Sequence, residues 1–121
     1  MLKVRAERIG RIAILHVHGN VVVGAEVEAL RKAVLAESDS SAVLLLDFAR
    51  VSRIDAAGLG ALLRLRQATH ASGRDLRLMN MSSLVRRVFE ITRLDSVFQL
   101  NREEDDVSSA VMLHSAIVAA D

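Results

Sequence analysis

The stretch AVLLLDFARVSRIDAAGLGALLRL, residues 42–65, decides how this chain of 121 residues folds. Its first part, residues 42–46, is an unbroken apolar run closed by Asp47, which predicts a strand buried on both faces in the middle of a sheet. After Asp55 the period changes, because leucines recur at helical spacing. The stretch therefore predicts a central strand, a loop over residues 49–54 and a helix that begins at Asp55.

The start of this helix has two interpretations. Asp55 stands at the N-cap, where its carboxylate can accept a hydrogen bond from a free amide of the first turn. Gly58 has no side chain and allows another backbone or a partner to approach closely. Because helix N-termini attract anions, the turn is either an ordinary capped helix start or a place where charge is recognised.

Two segments, LLLDFARVSRIDAAGLGALLRL and SGRDLRLMNMSSLVRRVFEITRLDSVFQL, resemble the STAS domain of the anti-sigma-factor antagonists. The resemblance runs over about residues 4–100. In that family the loop before the central helix typically reads Asp-Ser-Ser-Gly-Leu, and a partner kinase phosphorylates its second serine. Here the same place reads Asp55-Ala56-Ala57-Gly58-Leu59, so the frame is kept and the hydroxyl is missing.

Strands and helices alternate after an initial hairpin, which indicates a mixed sheet with parallel central strands. The resemblance implies the same fold: an α/β, STAS-like sheet of about five strands flanked by about four helices. Length and composition predict a single domain over residues 1–121. The expected elements are strands over residues 2–9 and 12–17, a turn at Gly19-Asn20, a helix over 25–36, the central strand and helix, a strand over 75–81, a helix capped by Ser82 or Ser83, a strand over 97–100 and a helix after Asn101.

The resemblance implies a non-catalytic regulator that binds an anti-sigma factor of the serine-kinase type. Ala57 takes the position of the modified serine and has no oxygen to accept a phosphoryl group, so binding is expected to be insensitive to phosphorylation. The expected partner-binding residues are Asp55, Ala56, Ala57, Gly58, Leu59 and Leu62.

Two other functions stay open, together with self-association into a homodimer. The domain can be an assembly subunit of a signalling scaffold or of a transporter ATPase complex, or it can sense a small ligand in a pocket beside the loop. Phosphorylation at Ser52, Ser82 or Ser83 would show that regulation had moved to another position.

Two further positions depart from the family. An acidic residue is usual near Val22 or Val23, and its absence makes the surface beside the loop more apolar, either for a partner or for packing. Glycine often ends the helix that follows Ser83, where Arg93 stands here, so the exit turn is expected to differ.

Catalysis and metal binding find little support in the sequence. Asp47 and Asp55 are a pair of carboxylates, but no activated nucleophile or third polar group accompanies them, and Asp47 is expected to support the loop by receiving amides or an arginine. His16 and His18 share a strand face without a third ligand nearby. The acidic run over residues 103–106 lacks the spacing and glycine of a calcium loop. We expect no cofactor.

Composition narrows the class of protein further. A formal net charge of +1 and the absence of Trp and Tyr argue against nucleic-acid binding. The chain has no cysteine, no apolar stretch of membrane-spanning length and no signal-peptide pattern. These features predict a soluble cytoplasmic domain that works through a protein partner.

Overall fold

The computed structural model describes residues 2–98. Its elements in chain order are β1 (Lys3–Ile9), β2 (Ile12–Val21), α1 (Ala25–Ser38), β3 (Val43–Ile54), α2 (Ala56–Ala71), β4 (Asp75–Met79), α3 (Ser83–Ile91) and α4 (Leu94–Val97). Within this part of the chain, no helix combines the length and the apolar character needed to cross a membrane.

The strands form one sheet in the order β1-β2-β3-β4. The pair β1 and β2 is the predicted antiparallel hairpin, while β3 runs parallel to both β2 and β4. The predicted fold class, a mixed sheet with parallel central strands flanked by helices, is confirmed. The described residues contain four strands rather than about five.

The central strand β3 is longer than the sequence predicts. Its first four residues are at most 3% exposed, as expected for a strand buried on both faces. The predicted loop over residues 49–54 is wrong, because the strand continues to Ile54. Between His16 and His18, and again between Gly19 and Val21, β3 advances three residues while β2 advances two. The strand therefore carries two bulges, which break the alternation that would have identified it. Nor does β2 turn at Gly19-Asn20, since it continues to Val21.

The main core lies on one face of the sheet. Alternate residues of the parallel strands, such as Leu15, Leu46 and Leu78, pack there with side chains of α1, α2 and α3, including Leu62 and Phe89. The opposite face carries a smaller apolar cluster of four buried residues, Ile12, Val43, Leu45 and Met79. This arrangement leaves the ends of β2 and β3 to position the start of α2.

The chain beyond α3 differs from the expected strand. Arg93 takes a left-handed conformation with φ 61°, and α4 follows it directly. Val97 ends α4, and Phe98 caps that helix and packs edge-on against Phe89 at 5.6 Å between ring centroids. The first half of the predicted strand over residues 97–100 is therefore helical or a cap. Its second half and the predicted helix after Asn101 lie outside the described residues.

Candidate functional site

Asp55 joins three pieces of backbone at the end of the sheet. Its Oδ1 accepts a hydrogen bond from the Gly58 N–H at 2.8 Å, which makes it the N-cap of α2 as predicted. Its Oδ2 accepts from the Val23 N–H at 3.0 Å, and its own N–H donates to the Val21 carbonyl at 3.3 Å. One residue thus ties the start of α2 to the connection between β2 and α1.

The same hydrogen bonds keep Asp55 charged. The Val23 N–H contributes most and the Gly58 N–H next, and together they hold the pKa of the Asp55 carboxyl below its ordinary value. At neutral pH the turn therefore presents an ionised carboxylate whose oxygens are both occupied by backbone donors.

Gly58 lets α2 approach the end of β2 closely. A Cβ added to it would stand 2.1 Å from the Val21 carbonyl oxygen and 3.0 Å from Ile54 Cγ1. No side chain fits at these distances, so the glycine is required by the contact between helix start and strand end.

The six predicted partner-binding residues come together but are not equally accessible. Ala56 is exposed and Ala57 is half-buried. Leu59 and Leu62 are 7% and 0% exposed and belong to the main core. Their side chains support the turn from beneath and are not available to a partner, which corrects the predicted surface at those two positions.

Val23 extends the accessible surface beside the turn. Its side chain is 69% exposed, although the sequence left packing as an alternative for this position. Val23, Asp55, Ala56 and Ala57 together form what we call the turn surface. It combines small apolar groups with one carboxylate already occupied by backbone donors.

Asp47 lies within β3 and has its own polar partners. Its Oδ1 accepts from the Ala49 N–H at 3.0 Å, an amide at the first bulge, and from Asn80 Nδ2 at 3.1 Å. Its Oδ2 lies 2.7 Å from His16 Nδ1. The predicted amide is present, but a histidine and an asparagine stand where the sequence allowed an arginine. Among residues 2–98, Asp47 and Asp55 share no hydrogen-bond partner.

The charge of Asp47 is balanced by these contacts. Burial acts to raise the pKa of its carboxyl, but hydrogen bonds from Ala49, His16 and Asn80 outweigh burial, so the pKa lies below its ordinary value. Since an ionised carboxylate can only accept, His16 Nδ1 carries the hydrogen of that pair. The arrangement orients His16 on the sheet.

The two strand histidines do not form a metal site within residues 2–98. His16 is bound to Asp47 and His18 is exposed. No group of three or more His, Cys, Asp or Glu side chains in this part of the chain is arranged to hold a metal ion. Of the other two histidines, His70 lies in the last turn of α2, and His114 lies outside the described residues.

Sequence reasoning missed two contributors to these sites. Asn80, with φ 60°, places its amide on Asp47 directly after β4. The Val23 amide binds Asp55 across 32 positions of sequence. A residue with φ above zero after a strand is often Asn, which is a usable signal for the first. Nothing local in the sequence indicates the second.

Comparison with known proteins supports the fold. The model of the STAS domain family matches residues 3–107. No curated protein sequence matches the chain significantly. Among solved structures, the chain is similar to an anti-sigma factor antagonist from Mycobacterium paratuberculosis, with 24% identity, a TM-score of 0.72, and coverage of 93% of this chain and 95% of that one.

Two other structures place the same fold in different settings. The unphosphorylated anti-sigma factor antagonist SpoIIAA is 19% identical, with a TM-score of 0.63 and coverage of 91% of this chain and 98% of that one. The murine Slc26a9 anion transporter is 26% identical over 71% of this chain, with a TM-score of 0.61, but the likeness spans only 14% of the transporter.

Proposed function

This chain belongs to the STAS domain family, and from that premise we propose that it is a non-catalytic regulator of the anti-sigma-factor antagonist type. In this proposal, residues 1–121 act as one domain in the cytoplasm and bind an anti-sigma factor that carries serine-kinase activity. Two structural neighbours that it matches almost end to end are described as anti-sigma factor antagonists, which supports the choice of partner class.

The observation that carries the proposal is the turn surface. The turn keeps the N-cap of Asp55 and the close approach at Gly58, so its backbone is built as a defined shape. Around that shape the accessible side chains are two alanines and Val23. Small apolar groups beside a carboxylate already held by amides suit contact with another protein, because little polar surface loses hydration on binding.

The proposal also specifies the regulation. Ala57 is the second residue of α2 and matches the phosphorylated serine of the resembled family. A methyl group cannot accept a phosphoryl group, whereas a phosphoserine there would add about −1.5 to −2 charge within the contact. Binding is therefore constitutive with respect to this switch.

The first test introduces charge at Ala57. Ala57→Asp is expected to abolish capture of a kinase-type anti-sigma factor from native lysate, measured by pull-down and mass spectrometry. The variant should stay folded, because an acidic residue in the first turn interacts favourably with the helix dipole. Ala36→Asp, on the exposed side of α1, adds the same charge about 16 Å along that helix from its start and should retain the partner. Equal capture by all three proteins would contradict the proposed contact.

The second test restores the hydroxyl. If the captured partner is a serine kinase, purified Ala57→Ser should incorporate phosphate at position 57 with MgATP and then release the partner. Wild type should incorporate none at that position. Phosphate on wild-type Ser52, Ser82 or Ser83 accompanied by release would instead show that the switch has moved.

One observation favours a second function. A domain of this fold forms a small part of the murine Slc26a9 anion transporter, so assembly into a larger transport or scaffold complex is the alternative. Stoichiometric recovery of transport or scaffold proteins, unchanged by Ala57→Asp, would establish the alternative and remove the antagonist function.

A further inference from the structure

The face of the sheet opposite the main core carries a row of basic residues across three strands. Lys3 on β1 stands directly opposite His18 on β2, and His18 stands opposite Arg50 on β3. In the neighbouring row, Arg5 stands opposite His16, and His16 opposite Asp47. Asp47, in the second row, is the only acidic residue in the two rows.

The first row contains no acidic residue to balance its positive charges. Lys3 and Arg50 lie two strands apart on either side of His18, so the row brings two positive charges to one face of the sheet with no carboxylate between them. Within residues 2–98, Lys3, Arg5, His18 and Arg50 make no side-chain hydrogen bond or ion pair. Other arginines of this region do find partners, such as Arg8 with Glu37 and Arg77 with Asp75.

His16 lies beside the first row and is held in place by Asp47. Asp47 holds Nδ1 at 2.7 Å, while Nε2 is buried from solvent and has no hydrogen-bond partner among the described residues. The nearest carboxylate oxygen, on Glu7, lies 3.7 Å from Nε2, beyond hydrogen-bond distance. With the hydrogen on Nδ1, Nε2 of the neutral ring is an acceptor, which an anionic oxygen cannot partner, so anion contacts on this face fall to the other basic side chains.

These side chains line a groove of about 520 Å³, whose lining consists of Lys3, Arg5, His16, His18, Asp47 and Arg50 together with Val4 and Val17. That volume lies within the usual range of small-molecule sites. The lining has no Phe, Tyr or Trp on which a base could stack, so recognition there would depend on charge. We propose that this groove binds a compact phosphorylated small molecule, whose phosphate oxygens contact Lys3, Arg5, His18 and Arg50. The groove shares no residue with the turn surface, and the inference does not rest on the proposed function.

The test uses inorganic phosphate and inorganic pyrophosphate as probes of the full chain at constant ionic strength. In heteronuclear NMR titrations, we expect shifts in β1, at the His16 and His18 rings and around Arg50, with pyrophosphate binding more tightly. Pyrophosphate should also raise the melting temperature, because it binds the folded state only. In Lys3→Gln/Arg50→Gln, its affinity should fall at least about tenfold, since charge-assisted contacts are lost.

A charge-matched variant separates a built groove from general attraction. Arg64→Gln/Arg87→Gln removes two exposed arginines from α2 and α3 and should retain wild-type affinity. The groove variant should melt no lower than wild type without ligand, because neither Lys3 nor Arg50 makes a side-chain hydrogen bond or ion pair within residues 2–98. The proposal would be overturned if pyrophosphate bound equally weakly to both variants, or if it caused no shifts at the groove. It would also be overturned if the groove responded to a polyglutamate peptide or an oligonucleotide but not to pyrophosphate.

Discussion

Replacing Gly58 by alanine tests the close approach on which the turn depends. The added Cβ would stand 2.1 Å from the Val21 carbonyl oxygen, about 1.3 Å short of the ordinary contact distance of 3.4 Å. The obstacle is backbone, so the helix start and the strand end must separate. The Asp55 N–H to Val21 carbonyl hydrogen bond, already 3.3 Å long, would then be lost.

The magnitude of the change in unfolding free energy follows from two losses and one gain. Overpacking of this kind costs about 1–3 kcal/mol, and the lost hydrogen bond adds about 0.5–1.5 kcal/mol. Alanine gains up to about 1 kcal/mol over glycine in helix propensity. We therefore expect Gly58→Ala to lower the free energy of unfolding by about 1–3 kcal/mol and the melting temperature by roughly 4–12 °C.

Gly60→Ala is the matched control on the same helix. The nearest atom to its added Cβ outside the local backbone is Arg64 Nη1 at 3.4 Å, on a flexible side chain. Only the propensity gain then applies, so this variant should be stabilised by up to about 1 kcal/mol.

Urea unfolding followed by far-ultraviolet circular dichroism measures both variants, since the chain has no Trp for fluorescence. If the free energies of unfolding of the two variants agree within about 0.5 kcal/mol, the backbone contact at Gly58 does not constrain the fold and the reasoning fails.

Two further predictions concern the exit turn of α3 and the pH dependence of stability. Arg93→Gly should raise the free energy of unfolding by about 0.5–1 kcal/mol in urea unfolding, because glycine adopts φ 61° without the steric cost that arginine has there. Arg93→Ala is the control and should bring no such gain. An equal gain in both variants would contradict the conformational argument. The carboxyls of Asp47 and Asp55 have lowered pKa values in the folded chain, so the unfolded chain binds more protons in acid and stability should fall as pH drops below about 4. Urea unfolding over a pH series measures this effect. Asp47→Asn should be less stable than wild type at pH 7, and its free energy of unfolding should decline less steeply below pH 4. If the decline is unchanged, the carboxyl of Asp47 has the same pKa in the folded and unfolded chain.

The sequence predicts the elements whose signals are local. The apolar run of β3, the N-caps at Asp55 and Ser82, and the glycine with φ +76° after α2 are all where their residue types place them. Each depends on contacts within a few positions of the chain, which a sequence pattern records directly.

The features that the sequence missed depend on distant partners. The sequence predicts a loop at the end of β3, because two bulges interrupt the alternation of the strand there, although Val51 is buried. The stretch from Val97 looks like a strand, but Phe98 caps α4 and packs on Phe89 instead. At the candidate site, burial of Leu59 and Leu62 follows from how α2 lies on the sheet.

The double hold of Asp55 has a consequence for the kinetics of association. Because one carboxylate fixes both the start of α2 and the Val23 amide, the turn surface exists in its final shape before any encounter. A protein that docks there does not have to order a loop. The entropy cost of that ordering, which usually weakens binding, has already been met when the chain folds. Association on such a surface is expected to proceed without a slow conformational step. Tight and weak partners would then differ in the lifetime of the complex rather than in the rate at which it forms.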